Sequence, residues 1–267
     1  MNKIIKTLVI IFLMILVLFV GTLLFLLMTE KLDFSKTELV YDRYIEETFD
    51  SMEISTNSLD VRIVKSNDEK VSVKIYDREK ENTIIKVENN KLIIKSENKN
   101  LLCFLCYDKR RVIISVPQKE YNLVLNTSSG DIISELDLNN TTISVTSGDI
   151  YLKKVNEFTM SSTSGDVKIE EVNNINANLI SGDIIIGKIN NSLDIKTASG
   201  NINIGTLTIT KDSTIKATSG DITIYKSSNN TYFDANTTSG DIKISNNNRK
   251  SEYKLKIKTK SGDIKVK

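Results

Sequence analysis

Thr146-Ser147-Gly148-Asp149-Ile150 is the stretch that decides the fold, because near copies of it recur from the middle of the chain to its last residues. Serine always precedes the glycine, and aspartate follows it everywhere except at Asn201. The glycines of this structural turn motif are Gly130, Gly148, Gly165, Gly182, Gly200, Gly220, Gly240 and Gly262, at successive spacings of 18, 17, 17, 18, 20, 20 and 22 residues. Glycine at one fixed position of a repeat predicts a corner with positive φ, which a residue without a Cβ adopts readily.

Apolar residues stand at fixed distances from each glycine. The position five before it is always apolar, from Leu125 in the first full repeat to Ile257 in the last. The position two after it is always Ile or Val, as in Ile132 and Val167. Thr, Lys, Asn and Asp lie between these positions, which predicts strands with one buried face and one solvated face.

Two architectures agree with this pattern. In an antiparallel meander or sandwich, each Ser-Gly pair is a hairpin turn. In a parallel β-solenoid, each repeat is one coil with a Ser-Gly corner, and neighbouring coils stack to bury their apolar faces. Stacked coils need the same residue at the same corner, whereas a meander does not, so the sequence favours an all-β, β-helix-like parallel solenoid, expected to be right-handed.

Residues 51–120 are predicted to form the first strands and the cap of the solenoid, and residues 121–267 its regular repeats. Asn57-Ser58-Leu59-Asp60-Val61 resembles a degenerate repeat in which Leu59 replaces glycine. Asn89-Asn90 is a candidate hairpin turn. Residues 111–116 read as a strand that ends at Pro117, the single proline of the chain.

An uncharged apolar segment runs from Thr7 to Met28. Its 22 residues would span roughly 33 Å as a helix, enough to cross a bilayer, and it lacks the small residues of a signal-peptide cleavage site. Lys3 and Lys6 precede it, which places residues 1–6 in the cytoplasm by the positive-inside rule. We therefore predict a single-pass membrane protein with a transmembrane helix over 7–28, a linker over 29–50 and an extracellular C-terminal domain.

Charge and composition argue against two classes of function. The chain has 36 Lys and Arg against 34 Asp and Glu, a charge excess too small to suggest a nucleic-acid partner. It contains no histidine, which removes the commonest general base and metal ligand near neutral pH. The sequence predicts no catalytic residues, no metal and no cofactor.

Three groups of residues outside the apolar columns could carry a specific role. The aspartates after the glycines would stack along the solenoid, either sharing cations or each accepting hydrogen bonds from the amides of its own turn. Cys103 and Cys106 could form a local disulfide or remain two thiols in an apolar segment. Lys254, Lys256, Lys258 and Lys260 alternate with apolar residues on one outer face, where they could protect an open sheet edge or bind anionic polymers or lipid headgroups.

The Ser-Gly-Asp-Ile series and the lead-in VIISVPQKEYNLVLNTSSGD, residues 112–131, resemble the bacterial "putative adhesin" family of β-strand repeats, a domain of unknown function. The resemblance covers most of the chain beyond Ser51. It implies a β-solenoid that follows a membrane anchor or signal peptide, and it supplies no catalytic residues.

These observations predict a membrane-anchored, extracytoplasmic module of the cell envelope. Its predicted role is adhesin-like binding or structural support, without enzymatic activity. Its expected partners are the membrane, envelope polymers or another envelope protein. An accessory or sensor component of an envelope stress response is the alternative, and a carbohydrate-active β-helix enzyme is the weakest. A cluster of carboxylates and basic residues in one groove would favour the enzyme, whereas an even Ser/Thr/Asn surface would favour binding.

Overall fold

A computed structural model describes residues 11–22, 37–77, 83–96 and 110–267. Residues 11–22 are helical. All the regular elements described between residues 37 and 267 are β-strands. The strands before the first glycine motif are β1 (Glu38–Ile45), β2 (Ser51–Thr56), β3 (Asp60–Lys65), β4 (Val71–Asp77), β5 (Thr83–Glu88), β6 (Lys91–Ser96), β7 (Arg111–Val116) and β8 (Tyr121–Ser129). The strands after it are β9 (Ile132–Ser147), β10 (Ile150–Ser164), β11 (Val167–Ser181), β12 (Ile184–Ser199), β13 (Ile202–Leu207), β14 (Ser213–Ser219), β15 (Ile222–Ser227), β16 (Thr231–Ser239), β17 (Ile242–Ile244), β18 (Tyr253–Ser261) and β19 (Ile264–Val266).

The predicted transmembrane segment is only partly covered by the structure. Residues 7–10 and 23–28 lie outside the described residues, whereas the stretch between them is helical. The described part of the chain holds no helix with the length and apolar character needed to cross a bilayer.

The strands after β8 stack in parallel, which confirms the predicted solenoid and excludes the meander. β9 pairs with β10, β10 with β11, and β11 with β12, in each case parallel. Ile150 lies beside Val167, Val167 beside Ile184, and Ile184 beside Ile202. Each coil of the solenoid is called a rung below. The predicted column two residues after the glycine is therefore present, and its members are almost completely buried in every rung except that of Gly240.

The rungs at the N-terminal end do not follow chain order. β2 and β3 meet at Leu59, and this rung lies between the β6–β7 rung and the β8–β9 rung. A Cβ built on Gly130 would lie 2.4 Å from the carbonyl oxygen of Leu59, so Leu59 does occupy the corner below the first glycine.

Antiparallel strands cover this end of the array. β5 pairs with β6 across the turn at Asn89-Asn90, whose positive φ angles of 51° and 60° agree with the predicted hairpin. β4 pairs with β7, and β1 pairs with β4. The guanidinium of Arg110 forms two hydrogen bonds, of 2.5 and 2.7 Å, with the buried carboxylate of Asp77 and so joins the end of β4 to the start of β7.

Strand β1 differs from the sequence-based interpretation of residues 29–50 as a linker. Its side chains are mostly exposed or half-buried because it is an edge strand that covers β4. Such a strand buries too little apolar surface to show the alternation that identified the others.

The other end of the array is also out of order. β18 pairs with β14 on one side and with β16 on the other, and β19 lies in the same way between β15 and β17. We name each rung after its glycine. The Gly262 rung (β18 and β19) is thus inserted between the Gly220 rung (β14 and β15) and the Gly240 rung (β16 and β17). The Gly240 rung, although earlier in the chain, is the last one of the stack.

Candidate lysine-rich binding face

The glycine corners fix how the rungs stack. All eight motif glycines have φ between +122° and +141°, a region that side chains with a Cβ rarely adopt. A Cβ on Gly182 would also lie 2.1 Å from the carbonyl oxygen of Gly165, closer than any real contact. Glycine is therefore required twice, by the backbone angle and by the approach of the neighbouring rung.

The aspartates after these glycines form a hydrogen-bonded ladder. The backbone amide of Asp149 donates to Oδ1 of Asp131, that of Asp166 to Asp149, and that of Asp183 to Asp166, at 2.8 to 3.1 Å. Asn201 takes the same place and accepts from the amide of Asp221 at 3.0 Å. The carboxylates do accept backbone amides, but the donor is the amide of the next rung and not, as the sequence suggested, that of the aspartate's own turn.

The described residues contain no group of three or more His, Cys, Asp or Glu side chains that could hold a metal ion. In the aspartate ladder, one oxygen of each stacked carboxylate accepts a hydrogen bond from a backbone amide. Cys103 and Cys106 lie outside the described residues.

A second ladder, which the sequence reading missed, runs through the middle of the long strands. The side-chain amide of Asn156 donates to Oδ1 of Asn139, that of Asn173 to Asn156, and that of Asn190 to Asn173, at 2.8 to 3.1 Å. The recurrence of asparagine every 17 residues was the signal for it. Both ladders use polar side chains to hold rungs together, so these residues have a structural task.

The predicted lysine strand is β18, and its position corrects the edge-protection alternative. Lys256 lies between Thr214 of β14 and Asp234 of β16. A strand that has a neighbour on both sides presents no open edge, so its lysines cannot be there to block strand addition. The edge alternative assumed that rungs stack in chain order, which the inserted Gly262 rung contradicts.

The lysines of β18 share an outer face with lysines of β14 and β12. Lys258 lies beside Lys216 of β14, and Lys216 lies beside Lys196 of β12. Adjacent strands are about 4.8 Å apart, so these three side chains form a row across three rungs. We call Lys196, Lys216, Lys254, Lys256, Lys258 and Lys260 the lysine face.

Two carboxylates neutralise part of this face. Nζ of Lys254 lies 2.7 Å from Oδ2 of Asp234, and Nζ of Lys196 lies 3.2 Å from Oδ2 of Asp194. The hydrogen bond between Lys254 and Asp234 raises the pKa of the lysine and lowers the pKa of the aspartate, with Lys256 and Lys258 adding to the second effect.

The other four lysines of the face have no such partner. Among the described residues, no carboxylate lies within 4.0 Å of Nζ of Lys216, Lys256, Lys258 or Lys260. All four side chains are exposed. The face therefore keeps an excess of about four positive charges on adjacent strands, in a chain whose formal net charge is only +2.

Sequence reasoning found four members of the face and missed Lys196 and Lys216. A signal was present, since Lys196, Lys216 and Lys258 all stand four residues before their glycine. Chain order would still have separated Lys258 from Lys216 by the Gly240 rung, which carries Asn236 at this position. Only the inserted rung makes the row continuous.

Comparisons with known proteins agree with the fold. The profile of the family described as Toastrack DUF4097 matches residues 49–267, more than half of the chain. A "putative adhesin" from Bacteroides fragilis has a similar structure, with a TM-score of 0.54 and 17% identity over 85% of this chain and 96% of that one. A "putative lipid binding protein" from Parabacteroides distasonis gives a TM-score of 0.52 and 20% identity over the same shares of the two chains. No curated protein matches the chain.

Proposed function

The chain belongs to the Toastrack DUF4097 family, and from that premise we propose that it is a membrane-anchored, extracytoplasmic binding module without enzymatic activity, whose lysine face attaches to anionic polymers of the cell envelope. The observation that carries the proposal is the group of four exposed lysines on neighbouring strands with no carboxylate within ion-pair distance among the described residues.

The arrangement suits a polymer better than a small ligand. The lysines lie on the outer face of a sheet and not in a cleft, so they can contact an extended chain but cannot enclose a small molecule. A row of cations on adjacent strands places positive charge at regular intervals along the solenoid axis, as a repeating anionic chain requires. Lysine, a flexible and strongly hydrated point charge, tolerates variation in the position of each anion.

The proposed anchor is the apolar segment 7–28 with Lys3 and Lys6 on its cytoplasmic side. The helical stretch at residues 11–22 supports it. Attachment at the N-terminus would keep the lysine face near the envelope, where several weak charge contacts act together. The "lipid binding" name of one structural neighbour makes anionic headgroups the second source of negative charge to be tested.

The test is binding of the full-length protein, reconstituted in phosphatidylcholine nanodiscs, to inorganic polyphosphate and to vesicles containing phosphatidylglycerol. The variant K216Q/K256Q/K258Q/K260Q removes the unpaired lysines, and K65Q/K154Q/K168Q/K226Q removes four exposed lysines of other strands. Each lysine near an anionic surface contributes about 1 kcal/mol, so the first variant should lose polyphosphate binding by about 100-fold or more, and the control should retain it far better.

Equal losses in the two variants would refute the lysine face as the binding site. Binding to the vesicles but not to polyphosphate would replace envelope polymers by lipid headgroups. Saturable turnover of a glycan by the purified protein would refute the non-enzymatic interpretation.

A further inference from the structure

The Gly240 rung leaves the core of the solenoid open at one end. Ile242 stands two residues after its glycine, like Ile222 and Ile264, which are completely buried. Ile242 is nevertheless 43% exposed, because no strand of the described residues stacks beyond it. Of the strands that the structure describes, β17 pairs only with β19 and β16 only with β18, so each has an outer edge with no strand beside it.

The aspartate ladder also ends here without its last donor. The amide of Asp241 donates to Oδ1 of Asp263 at 2.9 Å, as in every earlier rung. Among the described residues no backbone amide donates to the carboxylate of Asp241 itself. The end of the stack thus has an exposed apolar side chain, Ile242, next to a carboxylate, that of Asp241, which accepts no backbone amide among the described residues.

Only part of the open end is protected by the chain itself. The side-chain amide of Asn247 bonds both backbone groups of Phe233, accepting from its N–H and donating to its C=O, each at 2.9 Å. This contact covers β16 at Phe233 in the way a neighbouring strand would. β17 has no comparable cover among the described residues, and edge strands of this kind readily pair with another chain.

The opposite end of the array presents no parallel rung, because antiparallel β4 and β5 already occupy the outer edges of β7 and β6. Head-to-tail stacking of copies would therefore not join one parallel rung to another. A contact that joins the Gly240 rungs of two copies uses the same end of both, which is a two-fold symmetric arrangement.

We propose that a second copy of this chain docks on the Gly240 rung, with β17 of the two molecules antiparallel around Ile242. In this register Ile242 meets Ile242 of the second copy, which removes both side chains from water. Asp241 then lies opposite Lys243 of the second copy, and Lys243 opposite Asp241, so the two ends are complementary in charge. Pairing of the unused backbone groups continues the sheet from one molecule into the next.

The contact is small, and the dimer is correspondingly weak. β16 is nine residues long, about 30 Å, and stacked sheets lie about 10 Å apart, so one terminal rung presents roughly 300 Å². Stable interfaces bury about 800 Å² on each partner. The dimer should therefore form reversibly and depend on protein concentration.

Charge reversal tests the register in the full-length protein in detergent micelles, by sedimentation over a range of concentrations. Asp241→Lys and Lys243→Asp each place like charges opposite one another and should raise the dimer dissociation constant about tenfold, whereas the double variant should restore it. Both side chains are exposed, and neither makes an ion pair among the described residues, so the fold should tolerate each change.

Cross-linking captures the dimer even if it is weak. In a Cys103→Ser/Cys106→Ser background, Ile242→Cys should give an oxidised dimer, because the two-fold axis places the two thiols together. Ile180→Cys, at a position 59% exposed in the middle of the array, is the matched control. Absence of the Ile242→Cys dimer, equal cross-linking of both variants, or a dimer that ignores the charge reversals would each overturn the proposal.

Discussion

Each stacked glycine meets two constraints at once, a positive φ and a close contact with the neighbouring rung. Gly182 combines a φ of +127° with a carbonyl oxygen only 2.1 Å from the position that a Cβ would occupy. We expect Gly182→Val to lower the free energy of unfolding by roughly 2–6 kcal/mol, since strain in φ and steric overlap add together. Thermal unfolding measures the effect, with Ser181→Val as the control at an exposed neighbour. Similar melting temperatures for the two variants would contradict the stacked-corner geometry.

One carboxylate of the aspartate ladder, that of Asp263, predicts a dependence of stability on pH. The hydrogen bond from the amide of Asp241, followed in importance by the one from Lys265, lowers the pKa of Asp263 below its ordinary value of 3.8. A carboxylate with a lowered folded-state pKa stabilises the fold above its unfolded pKa and loses that contribution as the pH falls through the folded value. Stability should therefore decrease below about pH 3.8.

Asp263→Asn isolates this effect. Asparagine keeps the acceptor, as Asn201 does in the native ladder, but does not titrate. We expect acid unfolding curves of the variant to show a smaller loss of stability between pH 5 and 2 than those of the wild type. An identical pH dependence would show that the charge of Asp263 adds nothing to the ladder.

At the scale of the strands, the order of the last two rungs is the feature most open to measurement. β18 has a neighbour on each side, whereas β16 lies at the end of the stack. Amides of an interior strand are all paired, while those of an edge strand are half unpaired. Hydrogen exchange should therefore be slower in residues 253–261 than in residues 231–239. Faster exchange in residues 253–261 would mean that the rungs stack in chain order.

The parallel solenoid and its apolar columns follow from the sequence because burial imposes a side-chain pattern on every rung. The order of the last rungs does not follow, since TTSGDIKI at 237–244 and TKSGDIKV at 259–266 fit the same columns equally well. Size is one physical difference between them. At the position seven before the glycine, the outer rung carries Phe233 and the inserted rung the smaller Leu255, and both are buried.

The candidate face was predictable only in part. Alternation showed that four lysines share one side of a strand, because the side-chain period of a strand is two. Their neighbours depend on which rung lies beside them, and that depends on contacts between residues far apart in the chain. Lys216 and Lys258 are 42 residues apart and lie side by side.

At the scale of the whole molecule, the proposed anchor places the solenoid outside the cell. Protease added to intact cells should degrade the part of the chain beyond Met28, and a reporter fused at Lys267 should report an external position. The control is the same treatment of permeabilised cells, in which a cytoplasmic marker must also be digested. A reporter that is active only in the cytoplasm would refute the proposed orientation.

The salt dependence of binding tests most directly the claim that the lysine face acts through charge. Affinity of the full-length protein for inorganic polyphosphate is measured from about 30 to 300 mM salt, a range over which the Debye length falls from roughly 18 to 6 Å. We predict that the wild type and K65Q/K154Q/K168Q/K226Q lose affinity steeply with salt, and that K216Q/K256Q/K258Q/K260Q binds weakly with a shallow slope. The same slope for all three proteins, or binding that is independent of salt, would contradict the claim.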